Sequence, residues 1–174
     1  MYAVITGASS GIGEQLAKRL AKEGYDLILV ARRRERLTAL ADKLRAVHKG
    51  LECDIFTADL MQLDECQRLS DYLEEKDVEI FINNAGYGDC GLFEETDIAK
   101  EIGMIDVNVR AVHFLTKKLL RQMRVKDRGF ILNVASSAGL IPAGPYMATY
   151  YATKAYAASL SRAVACELRQ NNSH

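Results

Sequence analysis

A chain of 174 residues can enclose one sizeable core, and its 23 Lys and Arg balance 23 Asp and Glu, so no overall field draws it to nucleic acid or an anionic membrane. Four scattered cysteines, Cys53, Cys66, Cys90 and Cys166, form no Cys-x-x-Cys pair, and His48, His113 and His174 are the only imidazoles. That pattern suits free thiols in a reducing compartment and no metal site. No apolar run approaches membrane-spanning length, and the first strand begins too early to leave room for a cleavable leader. We therefore expect a single cytoplasmic domain over residues 1–174 with a small molecule as its partner.

The apolar run Tyr2 to Thr6 reads as the first strand and is followed at once by Thr6-Gly7-Ala8-Ser9-Ser10-Gly11-Ile12-Gly13. Ile12, Leu16 and Leu20 then repeat at helical spacing. A glycine turn between strand and helix lets the backbone approach a ligand closely, and the free N–H groups at the helix start attract a pyrophosphate. Gly7, Ser9, Ser10, Gly11, Ile12 and Gly13 are accordingly candidate cofactor-binding residues. The second strand, Asp26 to Ala31, ends in Arg32-Arg33-Arg34, where an acidic side chain would hold the ribose hydroxyls of NAD. Cations are disfavoured at a helix start unless an anion binds there. Arg32, helped by Arg33, can pair with a 2'-phosphate, so NADP(H) is expected in preference to NAD(H).

Leu37, Leu40, Leu44 and Val47 stripe a second helix, Leu51 to Thr57 forms a third strand, and Leu63, Leu69, Tyr72 and Leu73 stripe a third helix. Tyr72 and Lys76 make a Tyr-x-x-x-Lys pattern whose charged, amphipathic setting reads as a solvated helix face. A fourth strand spans Val78 to Ile82, and a long helical stretch runs from Asp97 to Met123. A fifth strand, Phe130 to Val134, leads into Ser136, Ser137, Gly139 and a loop with Pro142, Gly144 and Pro145. The final helix runs from Thr149 to Gln170, with small residues Ala155, Ala158, Ser159, Ala163 and Ala165 that permit close approach. The polar tail from Arg169 to His174 is expected to fray. Strands alternating with crossover helices predict an α/β fold with a parallel sheet.

Tyr150 and Lys154 repeat the Tyr-x-x-x-Lys spacing in a different context, at a helix start that faces the carboxyl end of a strand. Open α/β sheets bind ligands at that end. One helical turn apart, the two side chains share a face. A phenol has a reference pKa of about 10, and a fixed neighbouring cation favours the phenolate, which suits proton exchange with a carbonyl oxygen. Ser137 can hydrogen-bond the same oxygen.

Four motifs in chain order resemble the short-chain dehydrogenase/reductase family over nearly the whole chain: the Thr6–Gly13 loop, Asn83-Asn84-Ala85-Gly86, Asn108 within Asp106-Val107-Asn108-Val109, and Ser137 with Tyr150 and Lys154. The resemblance implies a Rossmann-type doubly wound sheet in three α/β/α layers, strand order 3-2-1-4-5. The last two family strands are absent, so the chain is expected to be incomplete at its C-terminus. It further implies that Asp59 and Leu60 lie against the adenine, and that Asn84, Ala85 and Gly86 lie beside the ribose and nicotinamide. The chemistry implied is hydride transfer between a nicotinamide and a small or medium carbonyl or secondary alcohol. Tyr150 exchanges the proton, Lys154 favours the phenolate and holds the nicotinamide ribose, Ser137 orients the substrate oxygen, and Asn108 fixes a water toward Lys154. Pairing into a homodimer or homotetramer through the long and final helices is also implied. Tyr87, Cys90, Leu92, Phe93, Ile141, Pro142 and Tyr146 would make the substrate pocket fairly apolar. The alternative reading is a non-catalytic nucleotide-binding or scaffolding protein. Sugar-nucleotide epimerase or dehydratase chemistry fits less well, because it goes with a different glycine spacing and a larger substrate domain.

Overall fold

Valine, isoleucine and leucine run almost unbroken through the central strands, and a strand apolar on both faces is stable only when helices cover both. The computed structural model, which describes residues 1–141 and 144–170, meets that demand. Its elements are β1 (Tyr2–Thr6), α1 (Gly11–Lys22), β2 (Asp26–Ala31), α2 (Arg34–Val47), β3 (Cys53–Thr57), α3 (Leu63–Glu74), β4 (Val78–Asn83), α4 (Ile98–Ile105), α5 (Val112–Lys126), β5 (Phe130–Asn133) and α6 (Ala148–Gln170). Pro142 and the last four residues of the polar tail, 171–174, lie outside the described residues.

All pairings are parallel, and the strand order is β3-β2-β1-β4-β5, as the resemblance implied. Alternation along the strands sorts side chains into two cores. Ala3, Ile5, Leu27 and Leu29 pack on α1 and α2 through Ala17, Ala21, Leu37 and Leu44. Val4, Ile28, Val30 and Phe81 pack on α3 and α5 through Leu69, Leu73, Leu115 and Leu119. Chain direction across the sheet reverses between β1 and β4, so a crevice opens outside their carboxyl ends. On β5 the face carrying Phe130 and Leu132 is uncovered, the two side chains being 67% and 47% exposed.

Local detail departs from the sequence reading at four places. Gly50 at φ +84° and the Leu51 N–H bonded to the His48 carbonyl belong to the turn leaving α2, so β3 begins at Cys53 rather than Leu51. Pairing of Asn83 with Asn133 extends β4 by one residue, and β5 ends at Asn133, one residue earlier than expected. The long helical stretch starts at the Asp97 cap, whose carboxylate accepts from the Ala99 N–H at 2.8 Å, but a π-helical segment, Asp106–Ala111, separates α4 from α5. Tyr72 and Lys76 are not a solvated helix face. The helix α3 ends at Glu74, and the Tyr72 hydroxyl and Lys76 ammonium both donate to Asp54 Oδ2, at 2.7 and 2.9 Å, in a half-buried cluster at the amino end of the sheet.

Candidate active site

At the carboxyl end of the sheet lies a cleft of about 810 Å³. Every residue expected to bind a cofactor lines it except Gly11 and Gly13. Gly7 has φ +68°, and a Cβ there would stand 2.8 Å from Ala85 Cα; a Cβ on Gly13 would stand 2.5 Å from both Asn84 Nδ2 and the Gly7 carbonyl. Only glycine tolerates that conformation and that approach. The loop is latched to β4 by Thr6, whose hydroxyl donates to the Ile82 carbonyl at 3.2 Å and accepts from the N–H groups of Asn84 and Ala85, both at 3.0 Å. Asn84 Nδ2 in turn donates to the Thr6 carbonyl at 2.9 Å. Thr6 was legible as a loop residue but its latch was not, although a threonine ending an apolar strand is the signal.

Ser10 stands at the N-cap of α1 yet makes no capping bond from its side chain. Instead Arg33 Nη2 donates to both Ser9 Oγ and Ser10 Oγ at 3.0 Å, while Arg32 lines the same end of the cleft. Both arginines are exposed, and neither forms a salt bridge with a described carboxylate, so the guanidinium of Arg33 stands at a helix N-terminus that itself favours negative charge. Across the cleft, Asp59 Oδ1 accepts from the Met61 N–H at 3.1 Å, and buried Leu60 lies beside it.

At the other end, Tyr150 and Lys154 occupy the first turns of α6 and both line the cleft. Lys154 is 8% exposed as a residue, and its ammonium donates to the Val134 carbonyl at 2.8 Å and lies 5.9 Å from the Tyr150 ring centre. No described carboxylate pairs with it, and burial pushes it below the usual lysine range. Close approach is again set by glycines: a Cβ on Gly88 would stand 2.9 Å from the Tyr150 ring, and one on Gly86 would stand 2.6 Å from Asn108 Oδ1.

Asn108, in the π-helical segment and 2% exposed, stands behind the cleft. Its Oδ1 accepts from the Tyr87 N–H at 3.2 Å, and its Nδ2 donates to the Tyr87 carbonyl at 2.9 Å and to Thr153 Oγ1 at 3.1 Å. Thr153 then donates to the Tyr150 carbonyl at 2.9 Å. Both amide hydrogens are used, which leaves one lone pair of Oδ1 as the side chain's place for a water. Thr153 escaped the sequence reading, since a threonine inside a helix has no signal beyond its place next to Lys154. Ser137 opens a 3-10 turn, Ser137–Gly139, capped by Ser136 Oγ accepting from the Ala138 N–H at 3.2 Å. It is exposed and does not line the described cleft, but Gly139 lets its turn press against the backbone of Lys154. Of the expected substrate pocket, Tyr87 and Cys90 line the cleft, and Phe93 and Tyr146 join Tyr150 around a small adjoining recess. Leu92 and Ile141 are exposed, and Pro142 lies outside the described residues.

A family model described as short chain dehydrogenase matches residues 1–172. The very-long-chain 3-oxoacyl-CoA reductase of Podospora anserina is 34% identical over 171 residues, covering 96% of this chain and 50% of that protein. The Danio rerio very-long-chain 3-oxoacyl-CoA reductase-A is 32% identical, covering 97% and 53%. Among solved structures, the bulky-bulky ketone specific alcohol dehydrogenase from Comamonas testosteroni superposes with a TM-score of 0.92 at 35% identity, over 97% of this chain and 68% of that one. A short-chain dehydrogenase from Sphingobium yanoikuyae in complex with NADPH gives the same TM-score of 0.92 and 35% identity, over 98% and 66%. The chain spans about half the length of the curated relatives it matches.

Proposed function

The chain belongs to the short-chain dehydrogenase family, and on that premise we propose that it is an NADP(H)-dependent oxidoreductase acting on a carbonyl or secondary alcohol that carries a bulky apolar group. One observation carries the reading: Tyr150 and Lys154 stand side by side in the same cleft that the glycine loop and the arginine-linked serines build. The cradle fits a dinucleotide, since Gly7 and Gly13 leave backbone where any side chain would intrude.

When bound, the nicotinamide supplies or accepts the hydride. The Tyr150 hydroxyl gives its proton to the carbonyl oxygen in reduction and takes it back in oxidation. Lys154, held by the Val134 carbonyl, places a cation beside that hydroxyl and stabilises the phenolate left behind. Asn108 and Thr153 hold the Tyr87 loop and the first turn of α6 together, and Ser137, on the turn beside Lys154 though outside the cleft lining, is the residue assigned to orient the substrate oxygen. Arg33, Arg32 and Ser9 take the 2'-phosphate; no acidic side chain ends β2, and the Sphingobium neighbour was solved with NADPH. The apolar substituent is supported by the exposed side chains of Phe93 and Tyr146 near Tyr150 and by the substrates named for the relatives.

Ile98, Ile102 and Ile105 form an exposed stripe on α4, which supports pairing of two copies into a homodimer or homotetramer. No helix among the described residues is long and apolar enough to cross a membrane, which is in keeping with a cytoplasmic location. A non-catalytic nucleotide-binding or scaffolding role is favoured by one observation, the exposed position of Ser137 outside the cleft lining. The deciding experiment follows NADPH oxidation by the purified chain with a panel of aryl and long-chain ketones. Turnover lost in Tyr150→Phe supports the oxidoreductase, whereas tight NADPH binding with no turnover on any ketone supports the second role.

A further inference from the structure

Behind the cleft, a polar cluster of two buried residues, Asn83 and Thr116, and two half-buried ones, Asn133 and Ser161, joins four elements. Asn83 on β4 donates through Nδ2 to Thr116 Oγ1 on α5 at 3.1 Å and to Asn133 Oδ1 on β5 at 2.8 Å. Thr116 Oγ1 also donates to Asn133 Oδ1, at 3.1 Å. Asn133 Nδ2 donates to Ser161 Oγ on α6 at 2.9 Å, and Ser161 donates to the Ala157 carbonyl at 2.7 Å. Both hydrogens of Asn83 Nδ2 and both lone pairs of Asn133 Oδ1 are thereby used. Apolar residues would fill the same space without desolvation cost, so what the cluster adds is direction: a satisfied amide network accepts one register of β4, β5 and α6 and penalises others.

That register matters one residue past the end of β5. The Asn83 carbonyl accepts the Val134 N–H at 2.9 Å, and the Val134 carbonyl is the group that holds the Lys154 ammonium. Lys154 and Ser161 lie two turns apart on one face of α6. The helix is thus bonded to two consecutive residues, Asn133 at the end of β5 through Ser161 and Val134 just past it through Lys154. We propose that Asn133 and Ser161 are positioning residues whose hydrogen bond sets the rotation and height of α6 and so keeps the Lys154 amine inside the cleft. Without the Ser161 anchor, only the Asn108–Thr153 bond steadies α6 beside Lys154, the Lys154–Val134 bond competes with hydration of an unpaired ammonium, and the amine spends more time in solvent. The inference rests on Lys154 being a working residue of the proposed site, but its test involves no turnover.

Competitive acylation of the folded chain with acetic anhydride at one fixed pH, read by mass spectrometry, reports the exposure of each lysine amine. Lys76, held by Asp54 at the far end of the sheet, is the internal reference. In Ser161→Ala, Lys154 should acylate about fivefold faster than in the parent, the shift set by the net loss of one hydrogen bond, while Lys76 is unchanged. Ser161→Thr keeps the hydroxyl and should restore the parent rate. Asn133→Ala, if it folds, should exceed Ser161→Ala; if it does not, the two serine variants decide. An unchanged Lys154 rate in Ser161→Ala, equal acceleration of Lys154 and Lys76, or no rescue by threonine overturns the proposal. Undiminished turnover in Tyr150→Phe would instead defeat the functional reading while leaving these rates as they are.

Discussion

Two Tyr-x-x-x-Lys segments of this chain sit at opposite ends of one sheet, and their surroundings separate them. Tyr72 and Lys76 converge on the carboxylate of Asp54, with Lys76 also over the Tyr2 and Tyr72 rings. Burial and the Asp54 carboxylate push the Tyr72 phenol up, and the Asp54 hydrogen bond pushes the Lys76 ammonium up. Burial alone would raise Asp54, but its bonds from Lys76 and Tyr72 prevail and hold it below the usual carboxylate range. Within this cluster the Asp54 carboxylate and the Lys76 ammonium answer each other. Lys154 has no carboxylate, only a carbonyl, and burial lowers it. The two lysines thus differ in their partners, a carboxylate for Lys76 and a backbone carbonyl for Lys154, and a desolvated cation without a carboxylate in a cleft marks a candidate site.

The largest expected contrast is in turnover. Tyr150→Phe should lower kcat for ketone reduction by roughly 10²- to 10⁴-fold, the worth of a placed general acid, whereas Tyr72→Phe should stay within about twofold in the same NADPH-oxidation assay. Equal losses would erase the distinction between the two ends.

A smaller effect concerns the anion end of the cleft. Arg33→Ala should cut the NADPH-over-NADH preference in kcat/KM by about 10- to 100-fold, with Arg32→Ala acting in the same direction. An unchanged ratio would mean that the bonds from Arg33 to Ser9 and Ser10 serve the apo loop alone.

Stability should respond in the opposite sense. Asp54→Ala leaves Lys76 and Tyr72 without their shared acceptor and should cost about 1–2 kcal/mol in urea titration, discounted for partial exposure. Lys154→Met removes a buried, unpaired cation and should be neutral or stabilising.

The subtlest contrast is in pH. The Lys154 value is depressed on folding, so between that lowered value and 10.5 the unfolded chain binds more protons and stability from this group rises with pH. The Lys76 value is raised, so its contribution is full below 10.5 and is lost as pH climbs above it. Chemical unfolding followed across alkaline pH should lose the rise in Lys154→Met and the fall in Lys76→Met; identical curves for both variants would contradict the assigned environments.

The five strands and the helix stripes were legible because apolar period and turn residues are local properties: Gly7 and Gly11 mark the loop whatever lies across from it. The π-helical segment at Asp106–Ala111 was not, since one widened turn leaves the apolar stripe of a long helix nearly in phase. Arg33 rather than Arg32 bonds Ser9 and Ser10, and no sequence signal distinguishes neighbouring arginines at the mouth of a cleft. The Asn83–Asn133–Thr116–Ser161 cluster was invisible because its members lie on four separate elements.

By itself the sequence determined the alternation of strand and helix, the glycine turn after β1 and the chemical types available for a site, all set by neighbours within a few residues. Context along the chain also set Tyr150 at the ligand-binding end, and only the tertiary structure decided what each lysine meets. Those outcomes depend on what a distant segment brings alongside, Asp54 in one case and the Val134 carbonyl in the other, and electrostatic contacts of that kind have no period for a linear pattern to carry.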